Sequence, residues 1–140
     1  MLATNNKDKL KELRYLLRSI PLEIVSPGDI GLELNSKEDG STFRENAVIK
    51  ALSGARASGL LTMADDSGLE VEALGGEPGV RSARYAGENA SNDDRIKLLL
   101  SRLDSVPLEK RKASFKSVIA LVKPDGKVKT FTGDCRGIIT

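Results

Sequence analysis

The chain has 140 residues, with 22 Lys and Arg against 20 Asp and Glu, for a net charge of +2. Hydrophobic residues make up 39%, so length and composition are those of one ordinary folding unit over residues 1–140, which excludes intrinsic disorder. The charge balance argues against gripping nucleic-acid backbone, and no apolar run nears the roughly 20 residues of a membrane span. One cysteine, Cys135, and no histidine remove Ser-His-Asp and Cys-His hydrolase mechanisms. Asp, Glu, Lys, Arg and backbone amides must then carry any chemistry, and any metal must be a hard, oxygen-ligated one. With a start too polar after Ala3 for a secretory signal, the expected location is the cytoplasm.

Residues 1–4 form a short apolar start. Over residues 7–19, Leu10, Leu13, Leu16, Leu17 and then Ile20 recur at helical spacing, predicting a helix that Pro21 ends. Residues 22–25 read as a strand, and 26–41, rich in Gly, Asp, Glu and Pro, as a long loop of the kind that often carries function. Thr42-Phe43-Arg44-Glu45 is a capping-box pattern opening a second helix. Its apolar face is Phe43, Ala47, Val48, Ala51, Leu52 and Ala55, with a stop near Gly59. Residues 60–64 read as a strand feeding a turn at Asp65-Asp66-Ser67-Gly68, and residues 69–74 as a further strand before the turn at residues 75–79. Ser91 and Asp94 cap a helix carrying Ile96, Leu98, Leu99, Leu100 and Leu103. Residues 112–122 and 128–132 read as a hairpin about Pro124-Asp125-Gly126. This order predicts an α/β fold: a central mixed β-sheet flanked by helices.

Three places could carry chemistry. Adjacent carboxylates Asp65 and Asp66 at the end of an apolar strand repel each other when buried, and Mg2+ is a natural compensator because it takes one or two protein carboxylates plus substrate phosphates. Turn formation by the Asp and Gly residues is an equally good account of residues 64–68 alone. Residues 4–9, Thr4-Asn5-Asn6-Lys7-Asp8-Lys9, offer hydroxyl, amide and ammonium donors beside a helix N-terminus, where phosphate is favoured; plain helix capping is the competing account. Glu38 and Asp39 in the long loop, and Lys50 on the second helix, taken singly read as solvated charges.

Together these pieces resemble the noncanonical purine nucleoside triphosphate pyrophosphatases, the inosine triphosphatase or Ham1-like family. The carriers are Leu2-Ala3-Thr4-Asn5-Asn6 with Lys9; Thr42-Phe43-Arg44-Glu45-Asn46-Ala47 with Lys50-Ala51; residues 64–69; and residues 73–79 with Ser82-Ala83-Arg84-Tyr85-Ala86-Gly87. The resemblance implies a two-lobed α/β fold with a nucleotide cleft, a homodimer, and Mg2+-dependent hydrolysis of ITP, dITP and XTP to monophosphate and pyrophosphate. It implies that Thr4, Asn5, Asn6 and Lys9 bind the triphosphate, with Lys50 a further phosphate contact. It also implies that Glu38 and Asp66 bind the metal, that Asp66 is the general base, that Ser67 contacts substrate and that Asp65 supports.

Two departures stand out. Asp8 occupies a position that is usually Gly in the family, placing a carboxylate near the proposed phosphate loop. The family's Gly-Phe-Gly-Tyr-Asp and Ser-His-Arg motifs, which help recognise the base, are not among these 140 residues, so the sequence reads as a C-terminally truncated member. The alternative to an active enzyme is therefore a catalytically incomplete fragment that binds only nucleotide phosphate and Mg2+.

Overall fold

Each of the three long helices forms where an apolar stripe follows a side chain able to cap it. The computed structural model describes residues 1–36 and 38–140. Helix α1 (Lys7–Leu16) is capped by Asn6, whose side chain accepts from the N–H groups of Asp8 and Lys9. It ends at Leu16 rather than at Pro21, because beyond the i→i−4 bond of Leu17 N–H to Leu13 O the pattern tightens to i→i−3 bonds, Arg18 N–H to Tyr15 O and Ile20 N–H to Leu17 O. Helix α2 (Phe43–Ser58) is capped by Thr42 and closed by Gly59 at φ 67°, a left-handed position that suits glycine. Helix α3 (Asn92–Arg102) carries a full capping box between Ser91 and Asp94.

The buried face of α2 is Phe43, Asn46, Ala47, Ala51, Gly54 and Ala55. Val48 and Leu52, expected there, are half-buried, and the face has rotated toward its small residues. Gly54 explains this: a Cβ there would lie 2.9 Å from Thr62 Cγ2 and 3.2 Å from Ala3 Cβ, so the helix approaches its neighbours more closely than bulkier residues permit.

Strand β1 (Thr62–Val71) is continuous, which corrects the expected turn at Asp65-Asp66-Ser67-Gly68 and the separate strand over 69–74. Burial alternates along it, with Thr62, Ala64, Asp66 and Gly68 buried and Met63, Asp65 and Ser67 half-buried, as the two-residue period of a strand requires. Residues 72–74 form a single 3-10 turn instead. Strands β2 (Lys112–Val122) and β3 (Val128–Ile138) form the expected hairpin, with β3 extending six residues past Thr132. The sheet order is β1-β2-β3, and Leu2 adds a parallel bridge to Met63, so pairing is mixed. Residues 22–25 form no strand; Val25 contributes one carbonyl, accepting from Leu2 N–H at 2.8 Å.

The chain divides into two compact units, Met1–Asp66 with Val118–Phe131, and Ser67–Ser117 with Thr132–Thr140. In the second, Val71, Leu99, Leu103 and Ala113 form a core joined by Leu69, Leu74, Tyr85, Val106 and Ile139. Among the described residues, no helix is long and apolar enough to cross a membrane.

Candidate active site

Alternation along β1 sends the adjacent carboxylates Asp65 and Asp66 to opposite faces, and each meets its own lysine. Lys9 Nζ lies 2.5 Å from Asp65 Oδ2. Lys50 Nζ lies 3.3 Å from Asp66 Oδ1 and 3.6 Å from Glu38 Oε1. Adjacent acids in mid-strand are therefore tolerable, because neither is left without a nearby cation.

Lys50 owes its place to α2. Asn46 and Lys50 are four residues apart and share one helix face. Asn46 is 1% exposed; its Nδ2 donates to Asp66 Oδ2 at 3.2 Å and its Oδ1 accepts from Gly40 N–H at 2.9 Å. Asp66, 8% exposed, is thus held on both oxygens, one by an amide and one by an ammonium.

The polar segment before α1 is built differently. Asn6 N–H donates to Thr4 Oγ1 at 3.1 Å, and Asn6 Oδ1 accepts from Asp8 N–H at 2.9 Å and Lys9 N–H at 3.2 Å. The carbonyl end of the Asn6 side chain is occupied in capping, while Asn5 is exposed. Asp8 is exposed in the first turn, where a carboxylate complements the positive end of the helix. Ser67 follows Asp66 in β1 and is half-buried, with the strand parity of Asp65.

The structure therefore brings Glu38, Lys50 and Asp66 together, and pairs Lys9 with Asp65. Among the described residues, no group of three or more His, Cys, Asp or Glu gathers to hold a metal. Glu38 and Asp66 nevertheless converge on one cationic group, and two carboxylates fit Mg2+ when phosphate oxygens and waters complete its shell.

The model of the Ham1 family matches residues 1–140. The chain belongs to the Ham1 family. A dITP/XTP pyrophosphatase of Geobacter sulfurreducens is 49% identical over 139 residues, covering 99% of this chain and 70% of that protein. One from Desulforamulus reducens is 48% identical over 139 residues, covering 99% and 69%. A solved HAM1 protein of Coxiella burnetii superposes with a TM-score of 0.90 at 40% identity, over 99% of this chain and 71% of that one. The α/β architecture is thus that of solved Ham1 proteins. Within this Ham1 chain, sequence reasoning missed Asn46 and Gly40 as site residues. The available signal was a polar residue one turn before Lys50 on a helix face otherwise made of Ala, Gly and Phe.

Proposed function

We propose that this chain hydrolyses noncanonical purine nucleoside triphosphates, ITP, dITP and XTP, to the monophosphate and pyrophosphate with Mg2+. One observation carries the reading: a nearly buried Asp66, oriented by two donors, stands with Glu38 around a lysine ammonium. Kinship with proteins named dITP/XTP pyrophosphatase supports the substrate class.

A triphosphate brings about four negative charges, and Lys9 and Lys50 offer fixed positive charge to receive them. Glu38 and Asp66 would hold Mg2+, which when bound supplies neutralisation of charge on the phosphoryl oxygens. Asp66 accepts a proton from water. The water oxygen bonds to phosphorus as the α–β anhydride bond breaks, and pyrophosphate leaves with the bonding electrons.

The test is pyrophosphate release from dITP, XTP and ITP, with ATP and GTP in parallel, in Mg2+ and in chelator. Release from the three over ATP and GTP, dependent on Mg2+, is expected. Asp66→Asn should keep the circular dichroism of the wild type and lose at least about a hundredfold in turnover, the scale of acid–base assistance. A near-normal Asp66→Asn rate overturns the assigned base. Absence of release from every substrate overturns the activity.

A further inference from the structure

Asn46 is the buried polar residue of α2, and both ends of its side-chain amide are committed to residues outside the helix. A Cβ on Gly40 would stand 2.7 Å from Asn46 Oδ1 and 2.8 Å from Glu45 Cβ, so the backbone two residues after Glu38 comes as close to α2 as a missing side chain allows. One turn later, Lys50 makes the same pair of connections, to Glu38 and to Asp66. Two residues at i and i+4 thus each span from segment 38–40 to Asp66.

The two tethers differ in kind. An ammonium is a point charge with little directional demand. An amide N–H is directional, weakening steeply as it misaligns. The terminal torsion of an aspartate is broad, so Lys50 alone would leave the Asp66 carboxylate free to rotate, whereas the Asn46 bond to the second oxygen fixes its plane.

We propose that Asn46 is a positioning residue, which sets the orientation of Asp66 and, through Gly40, the place of the segment bearing Glu38, before any substrate arrives. This deepens the proposed function and rests on it where Asp66 is the base.

The experiment uses the full chain and a reciprocal exchange. Asn46→Asp keeps the shape and the acceptor for Gly40 N–H but replaces the donor facing Asp66 with an oxygen. Its kcat for dITP should fall at least about tenfold, the scale of a hydrogen bond to a charged group, with KM within about threefold of wild type. Its urea midpoint should also drop. In the double variant Asn46→Asp/Asp66→Asn, the amide-to-carboxylate bond is regained with its direction reversed. The midpoint should return toward wild type while kcat stays at the Asp66→Asn level.

A double variant destabilised by the sum of the two single changes overturns the direct contact. An Asn46→Asp enzyme with wild-type kcat and only a lowered midpoint overturns the positioning role. Should the wild type release no pyrophosphate, the proposed function fails by itself, and the urea arm still decides whether Asn46 holds Asp66.

Discussion

Lys9 faces two demands. The family resemblance implies a phosphate-binding cation, and the structure places its ammonium 2.5 Å from Asp65, whose side chain is only 13% exposed. A carboxylate so far from water needs a partner, and a lysine on a helix needs something to aim it; the pair meets both needs. Lys9→Ala should therefore do two separable things. It strands Asp65, costing about 1–2 kcal/mol of stability, and it removes one positive charge from the triphosphate, raising KM for dITP about tenfold. Adding Asp65→Ala removes the stranded carboxylate, so the double variant should regain most of the urea midpoint while KM stays high. A KM that recovers together with the midpoint would show that Lys9 acts only through folding. Asn6 carries no such double duty for its carbonyl oxygen, which is committed to the α1 cap.

At the scale of the element, α2 carries the most information. Its start is local chemistry: Thr42 Oγ1 accepts from Glu45 N–H at 3.1 Å, and Glu45 reaches back to the N–H and hydroxyl of Ser41. Thr42→Ala should cost about 1 kcal/mol in chemical denaturation, and an unchanged midpoint would mean the cap contributes nothing. Gly54→Val should cost more, about 1–3 kcal/mol, because the added atoms meet Thr62 and Ala3 while the gain in helix propensity over glycine is under 1 kcal/mol. Capping is why the helices could be read from the sequence: Thr42, Ser91 and Asn6 act within four residues. β1 could not be read the same way. Asp-Asp-Ser-Gly has the composition of a turn, and only cations arriving from α1 and α2 make it tolerable as a strand interior. Asn46 showed only as a polar residue on an apolar face, and its role was not readable for a related reason, since its partners lie 6 and 20 residues away. Glu38, Lys50 and Asp66 were singled out together only by the family resemblance, and the structure brings the three side chains together.

Across the whole molecule, stability has an apolar and an ionic part, and the two respond to different perturbations. The core of the second unit centres on Leu103, fully buried among Val71, Leu99 and Ala113. Leu103→Ala should cost about 2–5 kcal/mol at any pH where the chain is folded, checked by urea denaturation; a loss under about 1 kcal/mol would show that the site collapses to fill the gap. The ionic part is pH-dependent, and three carboxylates held below their ordinary pKa contribute to it. Asp29 is held below its ordinary pKa by the Ser26 N–H and hydroxyl, Glu45 by the Ser41 hydroxyl and N–H, and Asp94 by the Ser91 hydroxyl and N–H. A carboxylate whose folded pKa lies below its unfolded one binds fewer protons folded than unfolded. Its contribution is complete above about pH 4.5 and is lost as pH falls through the depressed folded values. The urea midpoint should therefore be level from about pH 7 to pH 5 as far as these groups are concerned, and decline below about pH 4.5. Glu45→Gln with Asp94→Asn should lower the midpoint at pH 7 and flatten that acid slope, because the amides have no proton to gain. A double variant with the full wild-type slope would place the acid sensitivity elsewhere, with Asp29 as the next group to replace.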